Sequence, residues 1–293
     1  MMLDAAFFDR LSRLRLAMGG KSSMNMTGNR KSMQKGFSTE FSDFREYMPG
    51  DDLRRIDWNA YGRLDRLYVK EYMEEKETVV SILIDTSASM MYGAKRKSAL
   101  ACMLAAALAY MGLNNMDRVA LYDMRNMQTP FVAGGGRKAL PMLAGFLSGL
   151  TFEGCVDLAE AVRRLPEKGA GMTIILSDFL QDIFLEPEME PLGKMLRFLN
   201  YRKQNPVLLQ VLAGEELSVE MTGTKNLIDM EEKSALRLTL DAASIQVYES
   251  VLQEFLFSFR RMCAKAGAFY ALCSTETEID KLIFEDLRKL YDI

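Results

Sequence analysis

Thr78-Val79-Val80-Ser81-Ile82-Leu83-Ile84-Asp85-Thr86-Ser87-Ala88-Ser89 is the stretch on which the fold turns. Its residues up to Ile84 are largely apolar and rich in β-branched side chains, the composition of a strand buried on both faces of a sheet. The run ends abruptly in a carboxylate, Asp85, with hydroxyls at the alternate positions Ser87 and Ser89; Gly93 and a long helical pattern follow. Open α/β sheets bind ligands in the crevice outside the carboxyl ends of their strands. Asp85, Ser87 and Ser89 therefore form an all-oxygen cluster at the end of the sheet where such folds bind. Hard oxygen donors of this kind suit Mg²⁺ or Mn²⁺ better than zinc or copper.

Working outward, strand-like and helix-like runs alternate from Thr78 onward. Strands are predicted at 78–85, 117–124, 129–133, 172–178, 206–213 and 268–274. Helices are predicted near 94–113, 137–149, 157–165, 189–203, 242–266 and 278–290. This alternation predicts an α/β fold, a doubly wound and mostly parallel sheet with helices on both faces. The runs 117–124 and 129–133 lie too close together for a crossover helix. They form a hairpin and leave one antiparallel strand at the sheet edge. Leu236, Leu238 and Leu240 alternate within a further hairpin near 226–241, inserted outside the sheet.

Residues 78–293 thus read as one domain, and residues 1–77 as an N-terminal helix with a lead-in segment. The helix spans 3–18, with Leu3, Phe7, Leu11, Leu14 and Met18 near one face, and reads as docked on the main domain rather than lying on a membrane. Lys21 to Lys35 is polar and reads as loop. The lead-in, 36–77, is charged and aromatic, with a turn at Pro49-Gly50. Its interleaved Asp51, Asp52, Arg54, Arg55 and Asp57 read as a local charge network. Trp58 has two roles open to it, an anchor against the sheet domain or an interface hot spot; the anchor is the favoured one.

A second strand, Met172-Thr173-Ile174-Ile175-Leu176-Ser177-Asp178, also ends in a carboxylate. Beside the first strand it brings two acids together, and a bound cation relieves their repulsion. Asp178 has an alternative role in capping the next helix or accepting backbone amides.

The spacing Asp85-x-Ser87-x-Ser89 after a buried strand resembles the metal-ion-dependent adhesion site of von Willebrand factor A domains. Upstream, Phe41-Ser42-Asp43-Phe44-Arg45-Glu46-Tyr47-Met48-Pro49-Gly50-Asp51-Asp52-Leu53-Arg54-Arg55-Ile56-Asp57-Trp58-Asn59 and Leu67-Tyr68-Val69-Lys70-Glu71-Tyr72 resemble the lead-in of one bacterial family. That family is the von Willebrand A-like proteins known as domain of unknown function 58. The resemblance spans about residues 30 to 275. It implies a von Willebrand A-like domain with a binding or adaptor role, often beside AAA+ ATPases of the MoxR type.

The resemblance also implies that Asp178 shares the ion site with Asp85, Ser87 and Ser89, usually through water. An ion held by one aspartate and neutral hydroxyls keeps a position open for a partner's Asp or Glu. The adhesion-site pattern further has a threonine in a Gly-Gly-Thr-Asp-like turn. Here Glu153-Gly154-Cys155-Val156-Asp157-Leu158 puts Val156 at that place, which implies weak or partner-assisted metal binding. Thr151 or Asp157 are the nearby substitutes, although Asp157 with Glu160 three residues on reads better as a helix cap.

Composition removes other chemistries. The chain of 293 residues has no histidine, which excludes Ser-His-Asp and Cys-His hydrolases and histidine-ligated metals. A net charge of −3 gives no reason to expect nucleic acid as a partner. Cys102, Cys155, Cys263 and Cys273 lack Cys-x-x-Cys spacing, pointing to a reduced, cytoplasmic protein without a zinc site. Asp4, Asp9, Arg10 and Arg13 interrupt any signal-peptide core, and the apolar stretch Ala99 to Leu113 reads as a buried helix rather than a membrane span.

The sequence therefore predicts a non-enzymatic binding module. The alternative is an Mg²⁺-dependent phosphohydrolase with Asp85 as nucleophile, as in haloacid dehalogenase-like enzymes. Those enzymes need a general-acid aspartate two positions on, where this chain has Ser87. A dinucleotide-binding reading lacks the glycine fingerprint after the first strand. Gly134-Gly135-Gly136, before a helix, reads as loop rather than anion site.

Overall fold

A computed structural model describes residues 5–17, 35–64, 66–73, 79–166, 170–181, 189–219, 223–228, 230 and 235–292. The chain forms two compact units: Met1–Gly20 together with Thr78–Ile293, and Lys21–Glu77.

The first unit is built on a six-stranded sheet. Its strands are β1 (Val79–Ile84), β2 (Arg118–Asp123), β3 (Phe131–Ala133), β4 (Gly171–Ser177), β5 (Gln204–Leu212) and β6 (Phe269–Ser274). They lie in the order β3-β2-β1-β4-β5-β6, every neighbouring pair parallel except the edge hairpin β2–β3. This is the doubly wound α/β sheet with one antiparallel edge strand that the alternation predicts. The chain builds outward from β1 to β3, then returns to lay β4 against the other side of β1. Strand order thus reverses between β1 and β4, and a crevice opens at such a switch point.

Burial on both faces explains the continuous apolar strands. Val80, Ile82 and Ile84 pack on one side, with helix Lys97–Asn114 and helix Leu140–Ser148. Leu83 packs on the other, with helices Leu158–Arg163, Glu190–Tyr201 and Ala242–Lys265. Helix Lys97–Asn114 comes close to the sheet at Gly112, where a Cβ would stand 2.8 Å from Val119 Cγ2. Among the described residues it is the one helix long and apolar enough to cross a membrane, and most of it is buried inside the fold. The insertion is a separate antiparallel hairpin, Gly223–Ile228 with Ala235–Leu240.

The N-terminal helix is shorter than its periodicity predicts. It covers Ala5–Leu11, after which Arg15–Leu16 pairs antiparallel with Tyr291–Asp292. The Asn114 and Asn115 side-chain amides donate to the Ser12 and Leu14 carbonyls, satisfying backbone groups that a longer helix would have used. Phe7, Leu11, Leu14 and Leu16 stay buried in the sheet unit's core, so the segment docks there. Leu3, Met18 and the loop over 21–34 lie outside the described residues. At the other end, the predicted helix 278–290 is an α-turn, a π-turn and a 3₁₀-turn that still bury Ile279, Leu282, Ile283, Leu287 and Leu290.

The second unit contains an antiparallel pair, Lys35–Glu46 with Tyr68–Met73, and the helix Trp58–Leu64. Its acids hold turns. Asp51 pairs with Arg45 and accepts the Met48 N–H, Asp52 accepts the Arg54 N–H, and Asp57 accepts those of Asn59 and Ala60. Trp58 is 64% exposed and stands edge-on to Tyr61.

Candidate functional site

The rim at the β1–β4 switch point gathers the residues that the two strand ends supply. The Asp85 N–H donates to the Leu176 carbonyl at 2.9 Å, extending the β1–β4 ladder and placing Asp85 beside Ser177. The Asp85 side chain has no exposed surface. Its Oδ1 accepts the Ser87 N–H at 2.9 Å and its Oδ2 accepts the Ser177 hydroxyl at 2.6 Å. Ser87 opens the 3₁₀ turn Ala88–Met91, and its hydroxyl lies 3.0 Å from that of Ser89. Burial pushes the Asp85 carboxyl above its ordinary range, and the Asp178 charge adds to this against three hydrogen-bond contributions from Ser177 and Ser87.

Asp178 follows β4 and is also buried. Its Oδ1 accepts the Leu180 N–H at 3.1 Å, and its backbone carbonyl accepts the Gln210 amide at 2.7 Å. Its Oδ2 takes a different partner, the ammonium of Lys97, at 2.8 Å. Lys97 also donates to Glu216 Oε1 at 2.7 Å, and its side chain is only 1% exposed. Glu216 is fixed through its other oxygen, which accepts the Ala213 N–H at 2.7 Å. Burial alone would lower the Lys97 amine, but the two carboxylates outweigh it and hold the group above its ordinary value. The preceding turn is clamped as well. Ala94 N–H donates to Glu215 and Lys95 pairs with Glu276. Gly93, at φ 94°, leaves no room for a Cβ, which would stand 2.8 Å from Ala213 Cβ.

Asp85, Ser87, Ser89 and Asp178 therefore share one rim, but as a complete set they do not fit a divalent ion. Asp178 has one oxygen on an ammonium and the other on a backbone N–H. Val156, in the position that the adhesion-site pattern gives to threonine, is buried in an apolar cluster. Its substitutes are engaged elsewhere: Thr151 Oγ1 accepts from Arg125 at 2.6 Å, and Asp157 caps helix Leu158–Arg163 through the Glu160 N–H at 2.8 Å. Among the described residues no three His, Cys, Asp or Glu side chains are grouped to hold a metal ion.

Sequence reasoning passed over Lys97, Glu216 and Ser177. One local signal marks Lys97: it is the first residue of an apolar helix, where the macrodipole disfavours a cation. The neighbouring Lys95 and Arg96 mask that signal. Thr86, which donates to Asp123 at the end of β2, joins a third strand end to the same rim.

A family model described as "Protein of unknown function DUF58" matches residues 43–253. Uncharacterized proteins of Mycobacterium bovis and Mycobacterium tuberculosis are 27% identical over 248 residues, covering 80% of this chain and 74% of theirs. The crystal structure of the conserved hypothetical protein BatB from Bacteroides thetaiotaomicron is similar at a TM-score of 0.41 and 18% identity, over 73% of this chain and 98% of that one. An aerotolerance-related membrane protein from Bacteroides fragilis is similar at a TM-score of 0.41 and 17% identity, over 72% and 99% respectively.

Proposed function

The chain belongs to the DUF58 family, and from that premise we propose that it is a non-enzymatic protein-binding adaptor working through the carboxyl rim of a von Willebrand A-like domain. The observation that carries this reading is the state of Asp85. It is fully buried, with both carboxylate oxygens hydrogen-bonded, at the switch point where α/β sheets bind ligands. A phosphohydrolase of the haloacid dehalogenase kind needs a general acid where Ser87 stands, so the residues present favour binding over turnover. The partner we propose is a MoxR-type AAA+ ATPase, on the strength of the family resemblance of the lead-in and the Asp85-x-Ser87-x-Ser89 spacing. Exposed Met48, Leu53, Trp58 and Tyr61 in the lead-in unit have the character of an interaction surface. Four free cysteines support a reducing, cytoplasmic setting.

Capture of a co-expressed MoxR-type ATPase tests the proposal. Asp85→Ala, with its fold checked by circular dichroism, is expected to reduce capture at least tenfold. Undiminished capture by the folded variant overturns it, as does Asp85-dependent turnover of phosphate esters.

A second reading keeps a metal. Asp85 makes no ion pair among the described residues, and the Ser87 and Ser89 hydroxyls stand in the adjoining turn, which favours Mg²⁺ or Mn²⁺ at these three with Asp178 left to Lys97. Calorimetric titration of either ion, with Asp85→Ala as the control, decides it.

A further inference from the structure

The geometry points to Lys97 as the resident cation of this rim: its ammonium stands between Asp178 and Glu216 in the place of a divalent ion, and the rim is organised without a metal. The inference concerns the same site as the proposed adaptor function but does not depend on any partner.

A buried carboxylate is tolerated when it is paired and hydrogen-bonded. Asp178 and Glu216 come from segments that follow two different strands, β4 and β5, and both aim an oxygen at one point. That point is held by Nζ at 2.8 and 2.7 Å, within a few tenths of an ångström of the ~2.3–2.6 Å at which oxygen ligands hold calcium. Each acid is fixed by a backbone N–H on its other oxygen, at Leu180 and Ala213, as a preorganised ligand would be. The ammonium is delivered from the first turn of helix Lys97–Asn114, against the helix dipole, so local helix electrostatics do not account for it. The buried Asp85 carboxylate lies close enough to Asp178 for their charges to interact, making a third acid that faces the same end of the sheet.

Removing the ammonium should uncover a divalent-cation site. Lys97→Ala leaves room for an ion with water, and Lys97→Gln is the second variant, able to keep one hydrogen bond to a carboxylate if the alanine variant folds poorly. Thermal unfolding is followed with CaCl₂ and MnCl₂ as the probes, for the full chain. The wild type is expected to be unresponsive to either salt. At least one variant is expected to gain a saturable rise in Tm, about 5 °C at a hundredfold excess of ion over Kd. Adding Asp178→Asn to that variant should abolish the rise.

Three results overturn the inference. Stoichiometric binding of either ion by the wild type, lost in Asp85→Ala, would mean that a metal and the ammonium share the rim. An unresponsive pair of folded variants would mean that the acids cannot serve an ion. Variants that stay unfolded with and without both ions would mean that no ion can replace Lys97. None of these readouts involves a partner, so failure here is distinct from failure of the adaptor reading.

Discussion

Asp85 and Asp178 leave adjacent strands at one rim, both buried, yet they are held in opposite ways. Asp85 is held by neutral donors alone, the Ser87 N–H and the Ser177 hydroxyl. Asp178 is held by an ammonium that it shares with Glu216. Coulomb attraction in a low-dielectric interior exceeds what neutral hydrogen bonds return, so Asp178 is compensated where it stands and Asp85 is not. An acid kept buried without a counter-charge lowers stability, and such residues concentrate at functional sites. The difference separates a residue whose charge is neutralised within the rim from one whose charge is not.

Breaking the compensated half is expected to have the largest effect. Lys97→Met strands the buried Asp178 carboxylate and the partly buried Glu216, and removing one partner of a buried pair typically costs about 3–5 kcal/mol. Urea unfolding should show that loss, and the triple change Lys97→Met with Asp178→Asn and Glu216→Gln should recover most of it. Asp178→Asn alone is milder. Its amide oxygen still accepts the Leu180 N–H, and Lys97 keeps Glu216, so the loss should be roughly 1–3 kcal/mol.

Much of the molecule was legible in the sequence for the same reason that it is stable. Strands β1 and β4 are buried on both faces, so Val79–Ile84 and Met172–Ser177 are nearly unbroken apolar runs whose ends can be read directly. Asp85, Ser87 and Ser89 follow within five residues and were equally visible. Lys97 was not, because its partners are 81 and 119 residues away and only the return of β4 beside β1 brings the first of them near. The N-terminal helix ends at Leu11, short of what its periodicity predicts, because apolar spacing through Leu14 cannot show that Arg15–Leu16 pairs with the C-terminal strand.

Changing the uncompensated half should stabilise the protein, which sharpens the comparison. In Asp85→Asn the amide oxygen can still accept the Ser87 N–H, while the amide group donates to the Ser177 oxygen. The folded-state pKa of Asp85 is raised from its ordinary 3.8, so its favourable contribution is present below that value and is lost as pH rises through the folded value. Asp85→Asn should therefore match the wild type near pH 4 and exceed it by about 1 kcal/mol at neutrality. Thermal unfolding across that range measures the gap. A gap that closes toward neutral pH would show that Asp85 is compensated after all.

The smallest effect concerns Val156, where the adhesion-site pattern has a hydroxyl. Val156→Thr keeps the shape of the side chain but puts a hydroxyl into an apolar cluster, where the residue is 7% exposed. A loss of about 1 kcal/mol is expected, the low end of the cost of burying an unpaired hydroxyl. Restoring that ligand should still not create Mg²⁺ binding, because Asp178 remains on Lys97 and the Val156 carbonyl remains tied to the Gln181 amide at 2.6 Å. Combined with Lys97→Ala, the same threonine should tighten the ion that the single lysine change admits. A titration of the four proteins — wild type, each single variant and the double — then separates the two obstacles. If Val156→Thr alone binds Mg²⁺, the missing hydroxyl and not the resident ammonium was what kept the ion out.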